Sequence, residues 1–119
     1  FNILWRADID PSHLQCPIPP GKRSPLEYNC SGKHAGMLAV CQQRNWALSS
    51  YLQRSHPAQQ LIIHKVAELL RMPAEEFISA RDDCGAPTYF LQLGQMATLY
   101  AQLSSSEILD MERIVRAMT

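Results

Sequence analysis

Apolar residues recur at helical spacing along much of the chain, separated by proline-rich and polar segments. Near the start, Phe1, Leu4 and Trp5 occupy positions i, i+3 and i+4, the spacing of the buried stripe of a helix. Two aspartates and a proline within residues 8–11 are expected to end this helix. Residues 11–25 hold five of the eight prolines and predict an irregular connector.

Further helical patterns follow this connector. They are expected to open at Ser31, at His56-Pro57, at Pro73, at Thr88 and at Ser104, the first running to Gln43 and the last starting with a Ser104/Glu107 capping box. The expected apolar faces of the longer ones are Leu61 or Ile62 with Val66, Leu69 and Leu70; Phe90, Leu93, Ala97 and Tyr100; and Ile108, Met111, Val115 and Met118. Together these patterns predict a mainly α chain with about five helices and little or no sheet.

The helical pattern at each end of the chain lacks a boundary signal. The first begins at residue 1 with no N-cap before it, and the last stops at Thr119 with neither Gly nor Pro nearby. We therefore expect residues 1–119 to be a single helical region and a fragment of a larger protein.

Composition narrows the class of protein. A content of 46% hydrophobic and 18% charged residues is ordinary for a globular chain of 119 residues with its own core. Eleven basic and eleven acidic residues give no net charge, so nucleic acid is not an expected partner. No apolar run approaches the roughly 18 to 20 residues that span a bilayer, so no membrane association is expected. Four unpatterned cysteines are typical of reduced thiols and favour a cytoplasmic location.

Residues 29–36, NCSGKHAG, form a small and polar loop that runs directly into an apolar segment. Ser31 is expected to act as the N-cap of a helix, which places Lys33 and His34 in the first turn. The positive end of the helix dipole disfavours cations there. One interpretation is that it lowers the pKa of Lys33, ordinarily about 10.4, so that the amine acts as a base or ligand. The alternative is that both side chains simply point into water.

A second polar segment, DDCGAPT at residues 82–88, is expected to form a turn between two helical patterns. Its Cys84 follows Cys30 by 54 residues, and both thiols lie next to Gly or Ser in predicted loops. Thiolates on loops are candidate zinc ligands, although no CxxC or CxxH pair is present. Three interpretations stay open: a shared zinc ion, a structural or redox Cys30/Cys84 pair, or two unrelated buried thiols.

The motifs NCSGKHAGMLA (residues 29–39) and DDCGAPT, together with their separation, resemble the asparaginase II family of L-asparagine amidohydrolases. The resemblance implies hydrolysis of asparagine to aspartate and ammonia, with a zinc ion held by Cys30, Lys33 and Cys84. It assigns His34 and Asp82 as catalytic and substrate-binding groups and adds Lys33 to the substrate-binding set. It also implies that the chain is a helical segment of a serine β-lactamase-like α/β enzyme, expected to be a homo-oligomer at full length.

The same resemblance implies that the nucleophilic serine and its lysine base precede residue 1 and that another lysine follows residue 119. The isolated fragment is therefore expected to be inactive and to supply the zinc and substrate side of the pocket. The chain departs from the family at Asp83, where the usual motif is DGCG; if that position has positive φ, Asp tolerates it better than most residues. Residues 14–28 are also shorter than the family's corresponding region.

Two other functions remain open. In the first, the chain is a zinc-stapled structural or interaction module whose metal does not respond to asparagine. In the second, Cys30 and Cys84 form a redox switch in a protein without metal.

Overall fold

The computed structural model describes residues 2–119 and is mainly helical. Its α-helices are α1 (Asn2–Arg6), α2 (Ser31–Gln43), α3 (Pro57–Leu70), α4 (Leu93–Ser105) and α5 (Leu109–Met118). Two short strands, β1 (Ser79–Arg81) and β2 (Pro87–Tyr89), pair in one sheet, and single 3-10 turns lie at Pro11–His13, Pro25–Glu27 and Ala74–Glu76. The predicted mainly α chain with about five helices and little sheet is confirmed. Its place within a serine β-lactamase-like enzyme stays a prediction.

The chain packs as two compact units, and the first comprises the residues up to Ile62 together with Ser79–Thr88. Its core gathers apolar side chains from α1, α2 and the loops, among them Leu4, Leu38, Cys41 and Tyr51. Helix α2 buries residues at positions 34, 35, 37, 38 and 41, the spacing of one helix face. This helix therefore forms the centre of the first unit and carries the first polar motif at its N-terminus.

The second unit comprises Ile63–Ile78 and Tyr89–Thr119. Its core is small and consists of Ile63, Ala67 and Phe77 with half-buried apolar neighbours. None of the described residues of α4 and α5 is buried. Within residues 2–119, no helix is long and apolar enough to cross a lipid bilayer.

The start of α2 differs from the prediction by one residue. Cys30 is the N-cap and Ser31 is the first helical residue, with no side-chain capping bond. The backbone N–H of Ser31 instead donates to the Tyr28 carbonyl at 3.0 Å, so a backbone turn completes the entry into the helix. The predicted extent of the helix, to Gln43, is confirmed.

The predicted starts of the last two helices are wrong. Residues 87–89 form β2 rather than a Thr88-capped helix, because the chain here pairs with β1 and the Phe90 N–H donates to the Ile78 carbonyl at 2.9 Å. Helix α4 begins at Leu93, with a capping box between Gln92 and Gln95. The Ser104/Glu107 capping box is absent from the described chain, since α4 continues to Ser105 and α5 begins at Leu109.

The apolar faces match the predicted ones only in part. Val66 and Leu70 of α3 pack against the core of the second unit, as predicted. In α3 the buried residues of the second unit are Ile63 and Ala67, whereas Leu61 and Ile62 are exposed. In α1 Leu4 is buried and Trp5 is 72% exposed, and the third member of that stripe, Phe1, lies outside the described residues. The short helix expected at Pro73 is a single 3-10 turn, with Pro73 as its N-cap.

Candidate functional site

The first side of the candidate site is the N-terminal turn of α2. The His34 N–H donates to the Cys30 carbonyl at 3.1 Å, which closes the first helical turn around Lys33. The side chain of Lys33 is exposed, whereas that of His34 is completely buried. These two neighbouring residues therefore differ in exposure, with Lys33 at the surface and His34 in the core.

The second side is the turn between β1 and β2. The Asp82 N–H donates to the Ala86 carbonyl at 2.8 Å, and the Gly85 N–H donates to the Asp82 carbonyl at 2.9 Å. Gly85 has φ +82°, a left-handed conformation that glycine adopts without steric cost. The turn places Cys84 in the core, at 1% exposure, and leaves Asp82 half-buried.

The two motifs meet through their side chains. Lys33 Nζ lies 3.2 Å from Asp82 Oδ2, and Cys84 is near enough to raise the pKa of Lys33. Cys84 also acts on the pKa of the Cys30 thiol. Residues separated by about fifty positions in sequence thus form one cluster, composed of an amine, two thiols and a carboxylate.

The electrostatics of Lys33 contradict the predicted effect of the helix terminus. Burial acts to lower the pKa of Lys33, but the hydrogen bonds to Asp82 and Cys84 outweigh it and raise the pKa above its ordinary value. The helix dipole is weak compared with a carboxylate in direct contact. Lys33 is therefore a cation paired with Asp82, and the predicted lowering of its pKa is wrong.

The two thiols of the cluster are free cysteines. Burial, followed by the hydrogen bond to Cys84, raises the pKa of Cys30, although the Lys33 charge acts in the opposite direction. The Cys30 thiol is thus held in its protonated form when no metal is bound.

His34 has a different setting from the other predicted site residues. Its Nδ1 lies 2.7 Å from the Tyr51 hydroxyl, and its Nε2 is buried without a hydrogen-bond partner in the described chain. Burial first, and the nearby Lys33 charge second, lower the pKa of His34. His34 is therefore a neutral side chain behind the cluster of Lys33 and Asp82.

Asp83, the departure from the family motif, causes no backbone strain in this turn. Its φ is not positive, and the left-handed residue of the turn is Gly85 instead. Its backbone N–H donates to Asp82 Oδ1 at 2.9 Å.

The Asp83 carboxylate also affects its surroundings. Burial, together with a hydrogen bond to Asp83, raises the pKa of Tyr28 to about 12. One ligand atom each of Asp82, Asp83 and Cys84 lies within 4.8 Å of the other two.

Arg81 and Tyr51 connect the two motifs to the rest of the first unit, and sequence analysis did not identify either. Arg81 donates from one guanidinium nitrogen to the Leu52 carbonyl at 3.2 Å and to the Gly85 carbonyl at 2.6 Å. It therefore ties the turn that carries Asp82 and Cys84 to the segment that carries Tyr51. No local pattern indicates either residue, since their partners are mostly distant in sequence.

The donor set fits the zinc ion that the resemblance implies. Cys30, Lys33 and Cys84 supply two sulfurs and one nitrogen, atom types that zinc prefers, and Cys84 interacts with both of the other two. Because the Cys30 thiol and the Lys33 amine carry protons here, metal binding would have to displace them. The carboxylates of Asp82 and Asp83 lie beside this donor set.

An ion pair and two thiols thus converge at the N-terminus of α2 and form the candidate site. The model of the L-asparaginase II family matches residues 1–119, and the chain belongs to this family. At the level of the family, this assigns amidohydrolase-type activity and a small-molecule substrate, asparagine. No curated protein matches the chain.

Proposed function

We propose that the chain forms part of an L-asparagine amidohydrolase and supplies the zinc- and substrate-binding side of its pocket. The observation that carries this proposal is the contact between Lys33 and Asp82, which joins the two motifs across 49 residues. In this proposal the full-length enzyme is a cytoplasmic homo-oligomer, and residues 1–119 are one helical region of it.

Asp82 is the proposed partner of the substrate ammonium. Its Oδ2 already accepts from a primary ammonium, that of Lys33, and its Oδ1 accepts from the Asp83 N–H, which fixes the orientation of the carboxylate. Asparagine carries an ammonium of the same kind on its α-carbon. A carboxylate in this orientation binds such a group by a charge-assisted hydrogen bond.

Cys30, Lys33 and Cys84 would hold the zinc ion. When bound, zinc supplies positive charge that orders the two loops and attracts the substrate carboxylate. The positive end of the α2 dipole favours the same carboxylate. The attacking serine and its base belong, in this proposal, to a part of the enzyme outside residues 1–119. The contribution of this chain is thus to bind and orient the substrate rather than to attack it.

Elemental analysis of the purified chain tests the metal part of the proposal. We expect near-stoichiometric zinc in the unsubstituted chain, loss of that zinc in Cys84→Ala, and retention in Cys41→Ala, which removes a buried thiol elsewhere on α2. Absence of zinc together with reversible oxidation of Cys30 and Cys84 would support the redox switch instead.

Calorimetric titration with asparagine tests the substrate part. We expect binding by the zinc-loaded chain, loss of binding in Asp82→Asn, and unchanged binding in Asp110→Asn, a control on the exposed surface of α5. Zinc retention without any response to asparagine would favour the structural module. Robust ammonia release by residues 1–119 alone would contradict an external nucleophile.

A further inference from the structure

Tyr51 lies in a turn without regular secondary structure, yet it is among the largest fully buried side chains of the first unit. Its hydroxyl oxygen is 2.8 Å from the backbone nitrogen of Gln15 and 2.7 Å from His34 Nδ1. One phenol therefore joins a loop before α2 to the buried histidine of the candidate site.

The orientation of Tyr51 is fixed at both ends of the residue. Its carbonyl accepts from Gln59 Nε2 at 2.8 Å, and Gln59 is itself almost completely buried. Its ring meets that of His34 edge to face, with centroids 5.7 Å apart and an interplanar angle of 89°. These contacts fix the position of the hydroxyl and therefore limit its hydrogen-bond partners.

The number of available hydrogens favours one direction for each bond. The Gln15 N–H is a donor only, so the Tyr51 oxygen accepts from it. The one hydroxyl hydrogen remains, and the acceptor found for it among residues 2–119 is His34 Nδ1. A neutral imidazole whose Nδ1 accepts carries its hydrogen on Nε2. That Nε2 is buried and lacks a partner in the described chain, a costly arrangement for a donor.

We propose that Tyr51 is a positioning residue for His34, which it holds in the Nε2–H tautomer so that this N–H donates to an oxygen of the bound substrate. The inference rests on the proposed function and deepens it. Asparagine offers acceptor oxygens in its carboxylate and in its side-chain amide. His34 directly follows Lys33 in the first turn of α2, and its ring is near enough to Lys33 and Asp82 for the charge of each to act on it.

Nitrogen-15 NMR of the full chain with labelled histidine tests the tautomer. We expect the His34 hydrogen on Nε2 in the unsubstituted chain, and loss of this single tautomer in Tyr51→Phe. His56 provides an internal control, because its Nδ1 accepts from the Ala58 N–H and its Nε2 lies 2.8 Å from the Ala47 carbonyl, both independent of Tyr51. A His34 hydrogen on Nδ1 in the unsubstituted chain would overturn the inference, even if Tyr51→Phe does not fold.

Calorimetry with asparagine tests the consequence for the substrate. Tyr51→Phe should bind about three- to tenfold more weakly, the range expected for one lost hydrogen bond. Tyr100→Phe, which removes an exposed hydroxyl from α4, should bind as the unsubstituted chain does. Equal affinity in Tyr51→Phe would contradict this inference alone. Failure of the unsubstituted chain to bind asparagine would contradict the proposed function, and the NMR result would still decide whether Tyr51 sets the tautomer.

Discussion

The two units of the chain differ in whether they bury polar side chains in their cores. The first unit buries His34, His56 and Gln59, and each of them has a hydrogen-bond partner. The second unit has a small apolar core and leaves large apolar side chains such as Leu93 exposed. Buried polar groups with fixed partners hold neighbouring atoms in place. The candidate site therefore belongs to the unit in which buried hydrogen bonds hold polar side chains in fixed positions.

The largest expected effect concerns how tightly side chains are packed inside each unit. Leu38→Ala removes a fully buried side chain from α2 and should lower the free energy of unfolding by about 2–5 kcal/mol. Leu93→Ala, at a residue of α4 that is 79% exposed, should change it by less than about 0.5 kcal/mol. Urea unfolding measures both values. Similar losses in the two variants would show that the units do not differ in packing.

A matched pair of glutamines tests the buried polar groups. Gln59 donates to the Tyr51 carbonyl at 2.8 Å in the first unit, and Gln102 donates to the Leu69 carbonyl at 2.9 Å in the second. Gln59→Ala leaves a buried acceptor unpaired and should cost about 2–3 kcal/mol. Gln102 is only half-buried, so Gln102→Ala should cost about 1 kcal/mol or less. Thermal and urea unfolding distinguish the two, and a larger loss in Gln102→Ala would reverse the comparison.

The exposed ion pair of the site is expected to matter for ligands more than for stability. The Lys33 side chain is 46% exposed and that of Lys65, paired with Glu68 on α3, is 53% exposed. Solvent screens both pairs, so Lys33→Met and Lys65→Met should shift Tm by similarly small amounts. Only Lys33→Met should lose zinc. A large fall in Tm confined to Lys33→Met would show that this pair is structural.

The smallest expected effect is the acid dependence of Asp82. Hydrogen bonds from Lys33 and from Asp83 lower the pKa of Asp82 below its ordinary value of 3.8. The unfolded chain therefore takes up this proton first, and the stabilisation is complete above about pH 3.8 and is lost as the pH falls through the folded-state pKa. With a chelator present, stability of Asp82→Asn should fall less steeply with acid than that of Asp110→Asn. Identical slopes would mean that the pair contributes nothing.

Sequence patterns predicted the local part of the structure well. The extent of α2, the opening of α3 at Pro57 and the irregular connector after Pro11 all follow from periodicity and proline placement. The wrong elements depend on distant partners. Thr88 has a side chain typical of a helix cap, but its conformation is set by pairing with β1. The sequence around Thr88 gives no indication of that pairing.

The candidate site also has residues that the sequence identified and residues that it did not. The two motifs identified Cys30, Lys33, Asp82 and Cys84, which the structure brings together, and the family resemblance rather than spacing supplied their relation. Tyr51 was not predicted as a site residue, because its contacts with Gln15 and His34 span 36 and 17 residues. The pKa of Lys33 was predicted in the wrong direction because the dipole of α2 was visible in the sequence and the Asp82 contact was not.

The long separation between Cys30 and Cys84 has a consequence for the order in which the protein is made. Cys84 follows Cys30 by 54 residues, which at about 5–20 residues per second takes roughly 3 to 11 seconds to synthesise. During that interval the nascent chain contains the Cys30 thiol and the Lys33 ammonium but not yet Asp82 and Cys84, with which they interact in the folded protein. A ribosome that stalls between these two codons therefore leaves a chain with the α2 side of the cluster and no second side.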